Sequence, residues 1–394
     1  MSPHPDAMVR AALTLTESAS QGGWRGPDAY DGLWWHWPGP LTAGRRRRQV
    51  FMQLHARSPV DIRRLYRRSH PLIPKALGIF GSVGLRADAL QEDGRGRSLA
   101  IDALELLDAD RSAGDRAWGY HWDMQTRWSF YPAGSPNVVV TAFACSALLE
   151  AEAVLGRSDL GDRAREAARW VLDELWIESD GFFTYHPGNG ENIHNANLLG
   201  AWLVHAALPD DGPAAERARR AVDRTLAGQG ADGSWPYGEA PNLSWVDSFH
   251  TGYVLSCLWR LRDVDPRIED AVARGARYYE RFFDAQGRAP LWRDKPYPED
   301  AHSAGTGLTT LALLVRAGMV ERELLERVAG RTLDVGIRDG HAVWRRYRWG
   351  RTHVHFLRWC DAHVALGLVD AATALRELPD AVEAAARASA APPS

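Results

Sequence analysis

A repeat of about 55 residues constrains this chain more than anything else in it. Thr141, Asn195, Thr251, Thr306 and Asp361 fall into register at spacings of 54, 56, 55 and 55. A small residue follows each (Ala142, Ala196, Gly252, Gly307, Ala362), and then an apolar run, from FACSALL in the first copy to VALGLV in the last. Ahead of each marker stands an aromatic loop, and behind the apolar runs stand amphipathic stretches rich in Ala, Arg and Glu, such as DRAREAARWVLDEL. One period is therefore a helical hairpin, with one helix apolar nearly all round and one carrying a single apolar face. Self-similarity at such a period marks a repeat architecture whose units share a continuous core.

Five clear hairpins and a degenerate sixth, over residues 71–90 and 98–110, predict an all-α (α/α)6 toroid of six inner and six outer helices. Inner helices that are apolar all round need an enclosing outer layer, which favours a closed ring over an open superhelix. Residues 1–394 are read as one toroid domain, with 1–70 as an aromatic and Arg-rich extension packed on it and 380–394 as a tail that frays. Residues 30–40, with Trp34, Trp35 and Trp37, either plug one end of the core or touch a ligand. Nine arginines between Thr42 and Arg68 fall largely on a solvated face.

A formal net charge of −3 with 25% charged residues gives no global basic field, so no nucleic-acid partner is expected. Only Lys75 and Lys295 are lysines among 47 basic residues, which reads as codon bias. Cys145, Cys257 and Cys360 all lie in apolar helices, where a free thiol acts as a small hydrophobe. That fits a reducing compartment. No signal-peptide pattern and no uncharged apolar span of eighteen residues is present, so a cytoplasmic protein without an integral membrane segment is expected.

In a ring of this kind the loops preceding the inner helices converge over the axis, and a site is expected there. Those loops supply Trp118, Tyr120, Trp122, Asp123, Tyr185 and His186 in the first copies. Trp235, Tyr237, Trp245, Trp292, Asp300, His302, Trp344, His353 and His355 follow in the later ones. With Asn195, Asn197 and Tyr253 from the helices themselves, they form the predicted substrate-binding set. Aromatic rings stack on apolar sugar faces while carboxylates, amides and imidazoles bond hydroxyls, so a carbohydrate is the expected partner. Two groups, ENIHNAN at 191–197 and DSFHTGY at 247–253, join an acid, an imidazole and further hydrogen-bonding side chains. Glu191, Glu239 and Asp247 are the candidate catalytic acids, and His194, His250 and Tyr237 the candidate bases. The plainer reading of Asn137, Asp300 and Thr306 is that they cap or flank helix starts.

No cofactor is expected, since neither GxxxxGK[ST] nor GxSxG occurs. WCDAH at 359–363 sets Cys360, Asp361 and His363 close together, but zinc needs three or four convergent ligands and the other cysteines fall at different depths. No metal site is predicted.

HNANLLGAWL at 194–203 and DGSWPYGEAPNLSWVDSFHTGYVLSCL at 232–258 resemble the helical-toroid proteins of bacterial exopolysaccharide and capsule biosynthesis clusters. The resemblance spans roughly residues 115–370; it implies the toroid and a place in polysaccharide biosynthesis, and fixes no reaction. The chain is similar, more distantly, to six-hairpin glycosidases and to uronate-modifying epimerases and lyases. QGADGSW at 229–235 also fits the QxxxGxW motif of terpenoid cyclases and prenyltransferases, although it occurs once and no DxDD is present. The expected function is a carbohydrate-active enzyme of polysaccharide biosynthesis or modification, acting on an oligosaccharide or a uronic-acid-containing glycan. A hydrolase would need two carboxyl groups, about 5 Å apart for retention or roughly 6.5–9.5 Å for inversion. An epimerase or lyase would need a base near an acidic C–H. A non-catalytic glycan-binding protein and an isoprenoid cyclase or prenyltransferase are the alternatives.

Overall fold

The computed structural model describes residues 3–34, 42–58, 63, 69–111, 116–126 and 129–378. Trp35, Trp37, Trp128, most of the Arg-rich stretch after Ser58 and the predicted fraying tail lie outside the described residues. In chain order the helices are α1 (Pro5–Gln21), α2 (Arg45–Arg57), α3 (Pro74–Gln91), α4 (Arg95–Ala109), α5 (Val138–Leu155), α6 (Ser158–Glu174) and α7 (His194–Ala207). Then come α8 (Gly212–Ala227), α9 (Ser248–Arg260), α10 (Arg267–Tyr279), α11 (Ala301–Arg316), α12 (Arg322–Arg331) and α13 (His363–Glu377).

Helices α3, α5, α7, α9, α11 and α13 pack each on the next, and α13 packs back on α3, so the inner ring is closed. The fold is the all-α (α/α)6 toroid. Outer helices α4, α6, α8, α10 and α12 each cover the inner helix before them, and the sixth outer position is taken by α1, which lies on α13. The N-terminal helix is thus a stave of the ring and not an extension laid upon it.

Close contacts between helices rest on glycine. A Cβ at Gly305 of α11 would meet the backbone of His363 at 2.4 Å, and one at Gly367 of α13 would meet Gly305 O at 2.4 Å. Asn137, Asp247 and Asp300 cap α5, α9 and α11 through their side-chain oxygens, as the plainer reading of the first and last had it. Helix α5 is long and apolar enough to cross a membrane by composition, yet here it is an inner stave between α3 and α7. All three cysteines are buried and unpaired.

The loops ahead of the inner helices are stitched around the ring. The first backbone N–H of α5 donates to Tyr185 O (3.0 Å), that of α7 to Tyr237 O (3.1 Å) and that of α11 to Trp344 O (2.9 Å), each in the loop of the following repeat. A four-stranded antiparallel sheet joins residues 290–292, 295–300, 345–347 and 350–351, with Glu299 opposite Arg346 and Asp300 opposite Arg345. These interlocked loops form one face of the ring.

Inside the ring, axial side chains stack in layers at helical spacing. Ile79, Phe143, Leu199, Tyr253, Thr306 and His363 form one layer, and Ser82, Ser146, Trp202, Ser256, Thr309 and Leu366 the next. One turn nearer the loops are Lys75, Asn195, Phe249, His302 and Trp359; one turn further away Arg86 bonds both Glu150 and Asp370. The five markers stand near the starts of the inner helices, but two are rotated. The Phe143 layer recurs at 56, 54, 53 and 57 residues, so the sequence register slips by two positions at both α7 and α11. Asn195 and Thr306 therefore face the axis, whereas Thr141, Thr251 and Asp361 face the outer layer.

Candidate active site

Beneath the loop face four titratable side chains meet on the axis. Tyr253 Oη lies 2.9 Å from His302 Nε2, 3.2 Å from His363 Nε2 and 3.4 Å from Lys75 Nζ. They come from α9, α11, α13 and α3, which only ring closure brings together. The two imidazole rings are 4.1 Å apart, and the Lys75 nitrogen sits 4.1 Å above the centre of the Phe143 ring. His302 Nδ1 is 3.0 Å from the carbonyl of Trp359, so Nδ1 carries the hydrogen and Nε2 is left to accept from Tyr253. Burial, with Lys75 beside it, holds His302 well below the usual imidazole range; burial and His302 do the same to His363. Burial also holds the Lys75 amine well below its ordinary value, reinforced by the charge of Arg358 and opposed by Asp28. At neutral pH both imidazoles of this floor are neutral.

Above the floor stands an aromatic rim. Tyr237 and Trp245 stack at 4.5 Å, and Tyr237 lies 4.4 Å from the His250 ring. Asp247 Oδ1 accepts the His250 backbone N–H at 3.0 Å, and Oδ2 accepts from Trp245 Nε1 (3.1 Å) and lies 2.7 Å from His250 Nδ1. One carboxylate thus both caps the helix and holds the imidazole, and His250 Nε2 makes no hydrogen bond among the described residues. Phe249 bridges rim and floor, 4.5 Å from His302 and 5.6 Å from Trp359. Tyr131 packs on Tyr185 (5.2 Å) and His186 (4.7 Å). Glu191 is half-buried nearby; burial first, then lesser contributions that include the Glu191 charge, push Tyr131 and Tyr237 up. Arg358 forms a bidentate pair with Asp28 (2.6 and 2.7 Å) and covers the Tyr120 ring at 4.9 Å.

Several predicted residues stand elsewhere. His194 points outward: a Cβ at Gly228, just past α8, would meet its Cε1 at 2.6 Å, and both ring nitrogens are buried without partners among the described residues. Burial takes its pKa down to about 4. Glu239 is bound by Arg224 (2.8 and 2.6 Å) and by Asn192 (2.9 Å), which pull it below the usual carboxylate range against the effect of burial. Neither is placed to act on the axis: the slip at α7 turns His194 outward, and Glu239, in the loop ahead of α9, is held by Arg224 of α8 and by Asn192. Asn197 is structural, accepting from Phe183 N–H and donating to Ala221 O and Thr225. Trp118 and Trp235 are core residues whose indoles bond Leu107 O and Thr225 O. Trp122 is buried against Tyr120, and Asp123 accepts from the Ala133 N–H. Asp300 is a buried cap held also by Arg345 (3.2 Å), and Trp344 is buried against Phe356. Trp292 and His353 are exposed and make no ring contact with floor or rim among the described residues.

Lys75, His363, Arg358, Asp28, Phe249 and Trp359 were not in the predicted set. One signal for Lys75 was available: it is one of two lysines in a chain that otherwise uses arginine. Asn195, by contrast, does lie on the axis, four residues before Leu199 on the same face of α7, with a buried Oδ1 that has no partner among the described residues.

The WCDAH side chains diverge. Cys360 is wholly buried, His363 joins the floor, and Asp361 accepts from the Ala342 N–H (2.7 Å) and lies 3.0 Å from His341 Nδ1. His341, His355 and Asp361 are close enough together to suggest a metal site. The two imidazoles, however, stack at 3.7 Å with only 13° between their planes. A ring nitrogen donates in its own plane, so two nearly parallel rings do not aim at one ion. The arrangement is that of a histidine hydrogen-bonded to a buried carboxylate.

No protein-family model matches this sequence, and no curated protein sequence does. Solved structures do match in fold. The unsaturated glucuronyl hydrolase specific for heparin superposes with a TM-score of 0.62 at 12% identity, over 95% of this chain and 98% of that one. Cellobiose 2-epimerase from Bacillus thermoamylovorans B4167 gives 0.60 at 12% identity, over 77% and 88%. The glycosyl hydrolase family 88 protein from Bacteroides vulgatus gives 0.54 at 10%, over 78% and 94%. The chain shares the six-hairpin toroid with these proteins.

Proposed function

We propose that this protein is a carbohydrate-active enzyme that abstracts a proton from carbon, as an epimerase or an eliminating lyase of a uronic-acid-containing or reducing oligosaccharide. The observation that carries this is the linked cluster of Tyr253, His302, His363 and Lys75, with its imidazoles held neutral. A neutral imidazole takes the proton next to a carboxyl or carbonyl group, and Tyr253 and Lys75 are donors for the charge that develops on oxygen. Epimerisation needs a second proton carrier on the other side of the sugar, and His250, oriented by Asp247, stands at the rim. Tyr237 and Trp245 give a stacking wall, and the free Asn195 oxygen accepts from a hydroxyl. Hydrolysis fits less well, because Asp28, Asp247 and Glu239 are each committed to an Arg, an imidazole or a helix start. Similarity of fold to a 2-epimerase and to glucuronyl hydrolases agrees with a sugar substrate. The setting we infer is polysaccharide biosynthesis or modification, as the resemblance over residues 115–370 implies, and a cytoplasmic one, as the three free, buried cysteines suggest.

The test is incubation with uronic-acid oligosaccharides and reducing disaccharides in D2O, read by NMR and mass spectrometry. Carbon-bound deuterium or a new C=C in the sugar is expected, and both should fall by 10²-fold or more in Tyr253→Phe and His302→Gln. Cleavage that brings in solvent oxygen without carbon-bound deuterium would replace this reading with a hydrolase. Binding with no turnover of any of these sugars would replace it with a glycan-binding protein.

A further inference from the structure

Behind the floor the ring is not filled. A cavity of about 650 Å³, counting the solvent at its opening, runs from Tyr253 and His363 toward the C-terminal ends of the inner helices. Trp202, Arg260 and Arg86 line its end toward the helix C-termini and are part-exposed, so it opens on the face opposite the loops.

The walls are of two kinds. Ile79, Phe143, Leu199 and Leu366 are apolar. Between them lies a belt of hydroxyls from three different helices, Ser82, Ser146 and Thr309, at one level of the ring. Helical Ser and Thr commonly bond the carbonyl four residues back, as Thr16, Thr332 and Thr373 do in this protein. Those three make no hydrogen bond to protein among the described residues. Their donors and acceptors face the empty space, and Trp202 stands beside them at the same level. At the opening Arg86 is consumed by Glu150 and Asp370 (2.8, 3.0 and 2.5 Å), and Arg260 lies over the Trp202 ring at 5.4 Å. The two arginines and two acids balance, so the opening selects no net charge.

We infer that this chamber is a second binding site, distinct from the loop-face site, and that it takes an uncharged hexose-sized sugar. Such a molecule has apolar ring faces for Trp202, Leu199 and Leu366 and hydroxyls for Ser82, Ser146 and Thr309. A purely apolar ligand would leave the hydroxyl belt unpaired at a cost. A charged one would find no unbalanced counter-charge. Because Tyr253 and His363 close its inner end, an occupied chamber would press on the same residues that form the floor of the loop-face site.

The experiment needs no turnover, so its outcome is separable from that of the proposed reaction. The Trp indole region of a ¹H–¹⁵N spectrum of the full chain is recorded while glucose, galactose, mannose or, as the apolar control, decanol is added. The Trp202 signal is assigned by its loss in Trp202→Leu. Saturable movement of that signal by at least one hexose is expected, weakened about tenfold or more by Ser146→Val and unchanged by Trp245→Ala at the loop face. Thr309→Val serves as a second belt variant should Ser146→Val fail to fold. Movement by decanol alone, movement that Trp245→Ala abolishes, or no movement with any hexose would each overturn the inference.

Discussion

His194 and His363 are both the first residue of an inner helix, yet one faces the outer layer and the other the axis. A single residue's rotation of 100° decides between a packed imidazole and a functional one. For His194 this gives a prediction. Its folded pKa is about 4, against an ordinary 6.5 when unfolded. The unfolded chain therefore binds the proton first as pH falls, and the stability it contributes, complete above about pH 6.5, is lost on the way to pH 4. At 1.36 kcal/mol per unit the loss is on the order of 3 kcal/mol. His194→Phe removes both the titration and two unpartnered nitrogens. Urea denaturation at pH 7.5 and 4.5 should show an acid-induced loss smaller by about 2 kcal/mol than in the parent, with turnover at pH 7.5 retained. An unchanged acid-induced loss would show that the group does not titrate as its burial requires, and lost turnover would return His194 to the site.

At the scale of elements, contact between inner helices sets which side chains reach the axis. Helix α13 is preceded by a π-helical turn, Leu357–Ala362, which delivers Arg358, Trp359 and His363 to the centre while Asp361 turns outward. Such wide turns recur at functional sites. The contact that holds α13 in this rotation is the glycine pair of α11 and α13, where a Cβ at Gly305 has no space and the obstacle is backbone. Gly305→Ala should cost about 2 kcal/mol or more. Because the helices must separate, it should also move His363 from Tyr253 and lower turnover beyond what the stability loss explains. Denaturation and kcat on the folded fraction measure the two parts; a full-strength kcat would mean that the floor tolerates the shift.

For the whole molecule, closure depends on contacts between the two ends of the chain. Asp28 pairs with Arg358, Asp6 with Arg376 (2.5 Å), and Leu357 N–H donates to Pro27 O (3.0 Å). The Asp28–Arg358 pair is buried on both sides. Removing one member of a buried pair leaves the other charge without compensation, so Asp28→Asn should lose about 3 kcal/mol in urea denaturation. The loss should be cooperative and reach the whole ring, since α1 is its twelfth stave. A local loss confined to the first repeat, seen by hydrogen exchange, would argue against closure as the source of stability.

The 55-residue period, the apolar inner runs and the aromatic loops determined by themselves that this chain is a ring of helical hairpins with its loops gathered on one face. Each of those signals is local, set by spacing and side-chain type within one hairpin. The rotation of each inner helix about its own axis is not. It is fixed by glycine contacts, by a π-helical turn and by loops that bond into the next repeat, and a slip of two residues turns a side chain through about 200°. The sequence register was right for α5, α9 and α13 and two positions out for α7 and α11. Hence the grouping of Tyr237, Trp245, Asp247 and His250 was legible, whereas His194 was turned outward by the slip; Glu239 was drawn away by its pairing with Arg224, which no register shows. Lys75 and His363 could be joined to Tyr253 only by tertiary structure, because residues 178 and 110 positions apart in sequence become neighbours when the ring closes.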